Sequence, residues 1–247
     1  IMTDVNFNIR KEGELPEVKV LVAGFPGIGL IGGIASEQLI NTLGMEQVAS
    51  VDCDEFPPTA VVFDGIPRRP VRIFSGERFL LVKADMVIPP ELSAPLADKI
   101  IEWSLDQGIE DVIIFDGIPN REKDSEEVKI WGVLSSHAAE SEAEELNVDI
   151  IQKGAISGIS SSLLLTAHEK NLKAVGMFAE GKQNMPDPLA AAALLEKFSD
   201  YKGIDIDTES LRESAEQLEE KYSQLVNKTQ KAQKDIEHKS AHPPLYG

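Results

Sequence analysis

The chain has 247 residues, which is enough for one large α/β domain or two smaller ones. Acidic residues outnumber basic residues 42 to 24, and the net charge of −18 disfavours nucleic acid and anionic membranes as partners. Cys53 is the only cysteine, so an intramolecular disulfide and a cysteine-based zinc cluster are excluded. A single cysteine and the lack of any membrane-length apolar run favour a cytoplasmic protein.

The first half of the sequence predicts short strands and one long helix. Residues 1–15 are polar and mixed, which indicates an arm or an edge strand. Residues 18–23 form an apolar run typical of a strand buried on both faces, and a helical pattern follows over residues 28–43, with Gly44 as its C-cap. Four further strands are predicted, the last three spaced like an antiparallel meander, at residues 48–53, 59–63, 71–74 and 78–84.

The second half continues the alternation up to residue 200. Asp187 followed by Pro188 predicts the N-cap and first position of a helix that extends to Phe198. The other predicted elements are helices after Pro89-Pro90 up to residue 107, at 136–146 and at 160–170, and strands at 111–115, 128–133 and 172–179. This order predicts an α/β fold with a largely parallel central sheet.

A five-residue repeat, Phe-Asp-Gly-Ile-Pro, occurs at residues 63–67 and again at residues 115–119. Each copy ends an apolar run, and Asp-Gly followed by Pro favours a sharp turn. The residues around the two copies do not match. The repeat therefore predicts two turns of the same chemistry and not a duplicated domain.

The chain is predicted to have three parts. Residues 1–203 form one α/β domain, because no linker interrupts them. Residues 204–238 form a long amphipathic helix, in which leucines recur every seven residues and which packs on its own domain or, more in keeping with its length, on a neighbouring subunit. Residues 239–247 form an extended tail, because Pro243-Pro244 prevents a helix.

A glycine-rich loop at residues 24–33 suggests one candidate function. Gly27, Gly29 and Gly32 follow Gly24 and match the G-x-G-x-x-G pattern of dinucleotide-binding folds. Asp52 ends the second long strand, where such a fold places the acid that binds the ribose. Pro26 opposes this interpretation, because proline removes an N–H donor from a loop that should offer donors to phosphate. A nucleotide-binding enzyme, or a vestigial ligand loop, remains the alternative function.

Other catalytic and metal-binding patterns are absent from the sequence. The four histidines lack metal-ligand spacing, and the serines at 157–162 do not form a nucleophile elbow. The glycine loop is no Walker A motif, because Gly33 stands where lysine is required. We therefore expect no catalytic residues, no metal and no cofactor.

Several segments, in order, resemble the archaeal branch of the proteasome assembly chaperone family. They cover about residues 18–240 and comprise the loop at 24–29, the loop at 154–158 with the leucines at 163–165, Glu180 after the last strand, the motif at 186–188 and the long C-terminal helix. The resemblance implies a three-layer α/β fold similar to that of nucleoside phosphorylases, without their active site. It also implies a homo-oligomer that scaffolds the α-subunits of the proteasome core particle.

The resemblance further implies that Leu245, Tyr246 and Gly247 form a hydrophobic–Tyr–any tripeptide that docks between α-subunits. The residue types suit this role, since Leu245 fits an apolar slot, Tyr246 offers an aromatic ring with a hydroxyl, and a terminal carboxylate pairs with lysine. Several tails on one oligomer, each binding weakly, would together bind one α-ring strongly. We therefore expect a non-enzymatic assembly chaperone or α-ring-binding factor.

Overall fold

A computed structural model of the protein describes residues 5–120 and 127–217. Within these residues, one sheet contains nine strands in the order β1-β3-β6-β7-β2-β8-β11-β9-β10, and β4 and β5 form a separate hairpin. The strands are β1 (Asn8–Lys11), β2 (Val20–Gly24), β3 (Glu46–Asp52), β4 (Val61–Phe63), β5 (Ile66–Arg68), β6 (Val71–Ser75), β7 (Leu80–Ala84), β8 (Asp111–Pro119), β9 (Ile130–Leu134), β10 (Asp149–Ile150) and β11 (Lys173–Gly181).

Helices join most of these strands. They are α1 (Ile31–Leu43), α2 (Pro90–Asp106), α3 (Glu140–Glu145), α4 (Ile159–Glu169) and α5 (Pro188–Lys202), with 3-10 turns at Ile28–Leu30 and His137–Ala139. Residues 209–217 are also helical, which is the beginning of the predicted C-terminal helix. The remainder of that helix and the tail at 239–247 lie outside the described residues, so the three-part division of the chain stays a prediction.

The sheet is mixed, so the expectation of a largely parallel sheet is wrong. Only β7, β2, β8 and β11 form a continuous parallel block, whereas β1, β3 and β6 alternate in direction and β9 is antiparallel to β11. The cause is the length of the connections. A parallel pairing needs a crossover of about a dozen residues or more, and the turn between β6 and β7 is far too short for one.

The fold has three layers, as the resemblance implies. One face of the sheet packs against α2 and α4, with Leu21, Leu96 and Leu163 in the same apolar cluster. The other face packs against α1 and α5, and there Phe198 lies edge-on to Phe79 and Phe115 at centroid distances of 5.4 and 5.1 Å. The central strands β2 and β7 are buried along their whole length, which explains their continuous apolar sequences.

Several local signals are confirmed. β1 is the predicted edge strand, paired antiparallel with β3. Gly44 ends α1 with a φ of 58°, and Asp187 caps α5 by accepting a hydrogen bond of 3.1 Å from the backbone N–H of Ala190.

The Phe-Asp-Gly-Ile-Pro repeat behaves differently in its two copies. In the first copy, Asp64 and Gly65 form the turn of the β4–β5 hairpin, with positive φ angles of 50° and 75°. The second copy is extended, because residues 115–119 continue β8 and pair with β11. The prediction of two turns is therefore wrong for the second copy, since pairing with a long parallel neighbour overrides the local turn preference.

Candidate functional site

The glycine-rich loop lies at the carboxyl end of β2, where the chain passes directly into α1. A Cβ atom on Gly32 would come within 3.0 Å of the carbonyl oxygens of Phe115 and Phe25, and one on Gly24 would collide with Ser36 and with the Gly32 carbonyl. These two glycines therefore allow α1 to approach β2 and β8 closely. Their role in the structure is packing of the backbone.

Gly27 lies against the carboxylate of Asp116, at the carboxyl end of the neighbouring strand β8. A Cβ on Gly27 would come within 3.0 Å of Asp116 Oδ1. Ser160 Oγ donates a hydrogen bond of 2.6 Å to Asp116 Oδ2, and the Gly117 N–H donates one of 2.7 Å to Oδ1. Burial raises the pKa of Asp116 to about 6, although both hydrogen bonds act to lower it.

Gly29 connects the same loop to the start of α5. Gly29 and Leu30 both have positive φ angles, of 61° and 52°. The Asp187 N–H donates a hydrogen bond of 2.8 Å to the Gly29 carbonyl, and the Asp187 carboxylate also accepts from the N–H of Lys182 at 3.0 Å. The loop is thus held by Asp116 of β8 on one side and by Asp187 at the start of α5 on the other.

One carboxylate therefore stands beside a glycine that a nucleotide phosphate would approach. The Asp116 carboxylate lies next to Gly27, whereas Asp187 faces Gly29 with its Cβ atom and accepts hydrogen bonds from the N–H groups of Ala190 and Lys182. A negative phosphate at Gly27 would be repelled by ionised Asp116. Pro26, which is half-buried in the loop, also offers no N–H donor.

The structure does not bring Asp52 to this loop. β3, which carries Asp52, is separated from β2 by β6 and β7. Three strand spacings correspond to about 14 Å. Asp52 instead forms ion pairs with Arg10, at 2.5 Å, and with Arg69. Asp52, which the sequence pattern predicts as the acid that binds a ribose, therefore stabilises the edge of the sheet through ion pairs.

Sequence reasoning missed a cavity of about 450 Å³ beside Asp52, lined by residues 51–53, 56–60 and 67–70. We call it the proline pocket, because Pro57, Pro58, Pro67 and Pro70 are among its lining residues. Cys53 also lines it, and burial raises the pKa of this thiol to about 11, so it is protonated at neutral pH. The density of proline near Arg68 and Arg69 was the signal available in the sequence.

A buried ionic cluster was also missed. Arg72 on β6 and Lys83 on β7 are 4% and 3% exposed, and Asp85 accepts from both at 2.6 and 2.8 Å. The Arg72 guanidinium also stacks on Phe63 of the hairpin, 4.6 Å from the ring centroid. Burial acts to raise the pKa of Asp85, but the hydrogen bonds from Lys83 and Arg72 outweigh it and lower the pKa.

Within residues 5–120 and 127–217, no group of three histidine, cysteine, aspartate or glutamate side chains is placed to hold a metal ion. In the same part of the chain, no helix has the length and apolar character needed to cross a membrane. The residues Leu245, Tyr246 and Gly247 of the predicted docking motif lie outside the described residues.

The structure is similar to two solved proteins of Pyrococcus furiosus. One is PbaA, described as an archaeal homolog of proteasome-assembly chaperone, with a TM-score of 0.81 and 29% identity over 94% of this chain and 97% of PbaA. The other is PbaB, described as an archaeal proteasome activator, with a TM-score of 0.77 and 21% identity over 91% of this chain and 99% of PbaB. At 21% identity, the second likeness shows the fold alone.

The sequence comparisons agree with the fold. An uncharacterized protein of Methanocaldococcus jannaschii is 28% identical over 212 residues, which is 85% of this chain and 86% of that protein. The sequence profile of the PAC2 family matches residues 21–226, which include the glycine loop, the parallel block except Val20, and the beginning of the C-terminal helix. The chain therefore belongs to the PAC2 family.

Proposed function

We propose that this protein is a non-enzymatic proteasome assembly chaperone or α-ring-binding factor. The observation that carries the proposal is the likeness to PbaA, which extends over 94% of this chain at 29% identity. The loop geometry supports a role without nucleotide chemistry, because the Asp116 carboxylate lies beside Gly27, which a phosphate would approach. The shared α/β scaffold thus serves for binding, and its implied likeness to nucleoside phosphorylases stays a prediction.

The binding element is the tripeptide Leu245-Tyr246-Gly247, which docks between α-subunits of the proteasome core particle. The residue types support this role, because the leucine and tyrosine suit an apolar slot and a terminal carboxylate after Gly247 would pair with a lysine of the partner. The protein acts in the cytoplasm. It acts there as a homo-oligomer, because several tails on one particle raise the effective concentration of tripeptides at a ring of identical subunits.

Deletion of residues 245–247 tests this mechanism. We expect binding to the archaeal core particle and to isolated α-subunits to fall at least tenfold, as measured by biolayer interferometry. Deletion of Ser240, Ala241 and His242 is the matched control, because it shortens the tail by the same length and retains the tripeptide. Addition of one residue after Gly247 should also abolish binding, since it displaces the carboxylate. Undiminished binding of the shortened chain would refute docking through the tail.

A further inference from the structure

The proline pocket has the size and the walls of a site for a small molecule. It lies between the loop that follows β3 and the base of the β4–β5 hairpin. Its volume of about 450 Å³ is within the range of about 300–1,000 Å³ that is common for such sites. Phe56 and the four prolines that give the pocket its name line it. Proline loses no side-chain entropy when a ligand covers it, so these walls favour an apolar or aromatic group.

The walls of the pocket are held in place by the protein itself. The Phe56 N–H donates a hydrogen bond of 3.2 Å to the Cys53 carbonyl, and the Phe56 ring lies edge-on to Phe7 at a centroid distance of 5.4 Å. On the other side, the stacking of Arg72 on Phe63 fixes the hairpin, at 4.6 Å from the ring centroid. A ligand would therefore bind without ordering these segments, which favours affinity for a small molecule.

The charge of the pocket selects for an anion. Three of its lining residues are charged, namely Asp52, Arg68 and Arg69. Asp52 is compensated by ion pairs with Arg69 and Arg10, whereas Arg68 is exposed and has no ion-pair partner within the described residues. The pocket thus presents an uncompensated guanidinium in a chain with a net charge of −18. A guanidinium binds a carboxylate through two parallel hydrogen bonds.

We propose that the proline pocket binds a small organic anion in which a carboxylate is joined to an aromatic or branched apolar group. The carboxylate pairs with the Arg68 guanidinium, and the apolar group lies against Phe56 and the prolines. The site is separate from the glycine loop, because β6 and β7 lie between β3 and β2. It is also independent of docking on the proteasome, so this activity is additional to the proposed function.

The intact protein and the probe 1-naphthylacetate provide the test, by isothermal titration calorimetry. We expect saturable binding with a Kd of about 1 mM or lower, which usual ligand efficiencies give for a molecule of this size. 1-Naphthylacetamide has the same rings without the charge and should bind about tenfold more weakly, since it loses a charge-assisted pairing. Acetate, which lacks the rings, should show no saturation over the same concentrations.

Substitutions of Arg68 identify the group that binds the carboxylate. Arg68→Ala should weaken the binding of 1-naphthylacetate about tenfold, and Arg68→Lys should restore part of the affinity. Lys153→Ala is the control, because it removes the same charge from an exposed position that follows β10, at the opposite edge of the sheet from β1. Arg68 is exposed, so these variants should fold, and their circular dichroism and melting temperature verify this.

Methyl NMR of the protein locates the rings of the probe. Ala60 and Thr59 line the pocket, so the ring current of bound 1-naphthylacetate should shift their methyl signals. The Ala60 signal is assigned by its absence from the spectrum of Ala60→Gly. Ala190 and Ala191, which are fully buried in α5, serve as controls and should not shift. Unchanged signals of Ala60 and Thr59 at saturation would place the probe elsewhere and contradict the proposal.

Three calorimetric results would also overturn the inference: no saturable binding of 1-naphthylacetate, equal binding of 1-naphthylacetamide, or unchanged binding to Arg68→Ala. All these measurements are made without proteasomes. A failure of the α-ring proposal would therefore leave them standing, and their failure would leave the α-ring proposal intact.

Discussion

Ser160 Oγ donates a hydrogen bond of 2.6 Å to Asp116 Oδ2, and this bond joins the first turn of α4 to the carboxyl end of β8. Burial raises the pKa of Asp116 from 3.8 to about 6. The protonated carboxyl is therefore the form that the fold prefers. This contribution to stability is complete below the unfolded-state pKa and is lost as the pH rises through about 6.

We expect Asp116→Asn to remove this pH dependence. The variant should be more stable than the natural chain at pH 8, by up to about 2–3 kcal/mol, and its advantage should shrink at pH 5. Urea unfolding at the two pH values measures the difference. Ser160→Ala is the companion variant, because it removes a donor to the charged form and should cost more at pH 8 than at pH 5. An equal effect of Asp116→Asn at both pH values would contradict the raised pKa.

Two adjacent glycines of α1 should respond in opposite ways to alanine. Gly32→Ala places a Cβ within 3.0 Å of two backbone carbonyl oxygens, so we expect a loss of about 2 kcal/mol or more in the free energy of unfolding. Gly33 has no atom nearer than 4.0 Å to its Cβ position, so Gly33→Ala should gain about 0.5–1 kcal/mol from higher helix propensity. Denaturant unfolding of the two variants measures these changes. Similar free energies of unfolding for the two variants would show that α1 does not approach β8 as described.

The two buried cations share the carboxylate of Asp85. Asp85→Asn should destabilise the protein by about 3–5 kcal/mol at pH 7, because Arg72 and Lys83 would lose a charged partner in a buried position. Glu37→Gln is the matched control. Glu37 also pairs with Lys83, but its side chain is 41% exposed, so its loss should cost less than about 1 kcal/mol. Comparable losses in the two variants, measured by thermal unfolding, would argue against burial as the cause.

We expect no saturable binding of NAD or ATP in calorimetric titrations. The carboxylate of Asp116 repels phosphate at Gly27, and Asp52 lies three strands away. A saturable heat of binding in the natural chain that is absent from the Gly29→Val variant would restore the nucleotide-binding alternative. Gly33→Ala, which meets no close atom, is the control for a general effect on the loop.

Local signals in the sequence determined much of this fold. Gly44, Asp187 and Pro188 mark helix ends through their own backbone and side-chain chemistry, so they act whatever the rest of the chain does. Continuous apolar runs likewise located β2, β8 and β11, since strands covered on both faces need no polar positions. The predicted helix at residues 28–43 is interrupted only where Gly29 and Leu30 take positive φ angles.

The features that sequence reasoning missed depend on strand order. Asp52 has the spacing of a ribose ligand, but spacing along the chain does not tell which strand lies beside β2. The hairpin strand β5 escaped notice because Pro67 is unfavourable in most strands, although it is tolerated in a two-stranded ribbon. The proline pocket combines the loop before this hairpin with its base, and no local pattern joins the two.

The order of the central strands also governs how the chain can be synthesised and folded. β2 pairs with β8, about ninety residues later, and β8 pairs along nine residues with β11, from Asp111–Lys173 to Pro119–Gly181. The parallel block therefore cannot close until residue 181 has left the ribosome, whereas the β3-β6-β7 meander can form earlier from neighbouring segments. Until then the edge of β8 that pairs with β11 is exposed, so a protein related to assembly chaperones passes through its own aggregation-prone stage late in translation.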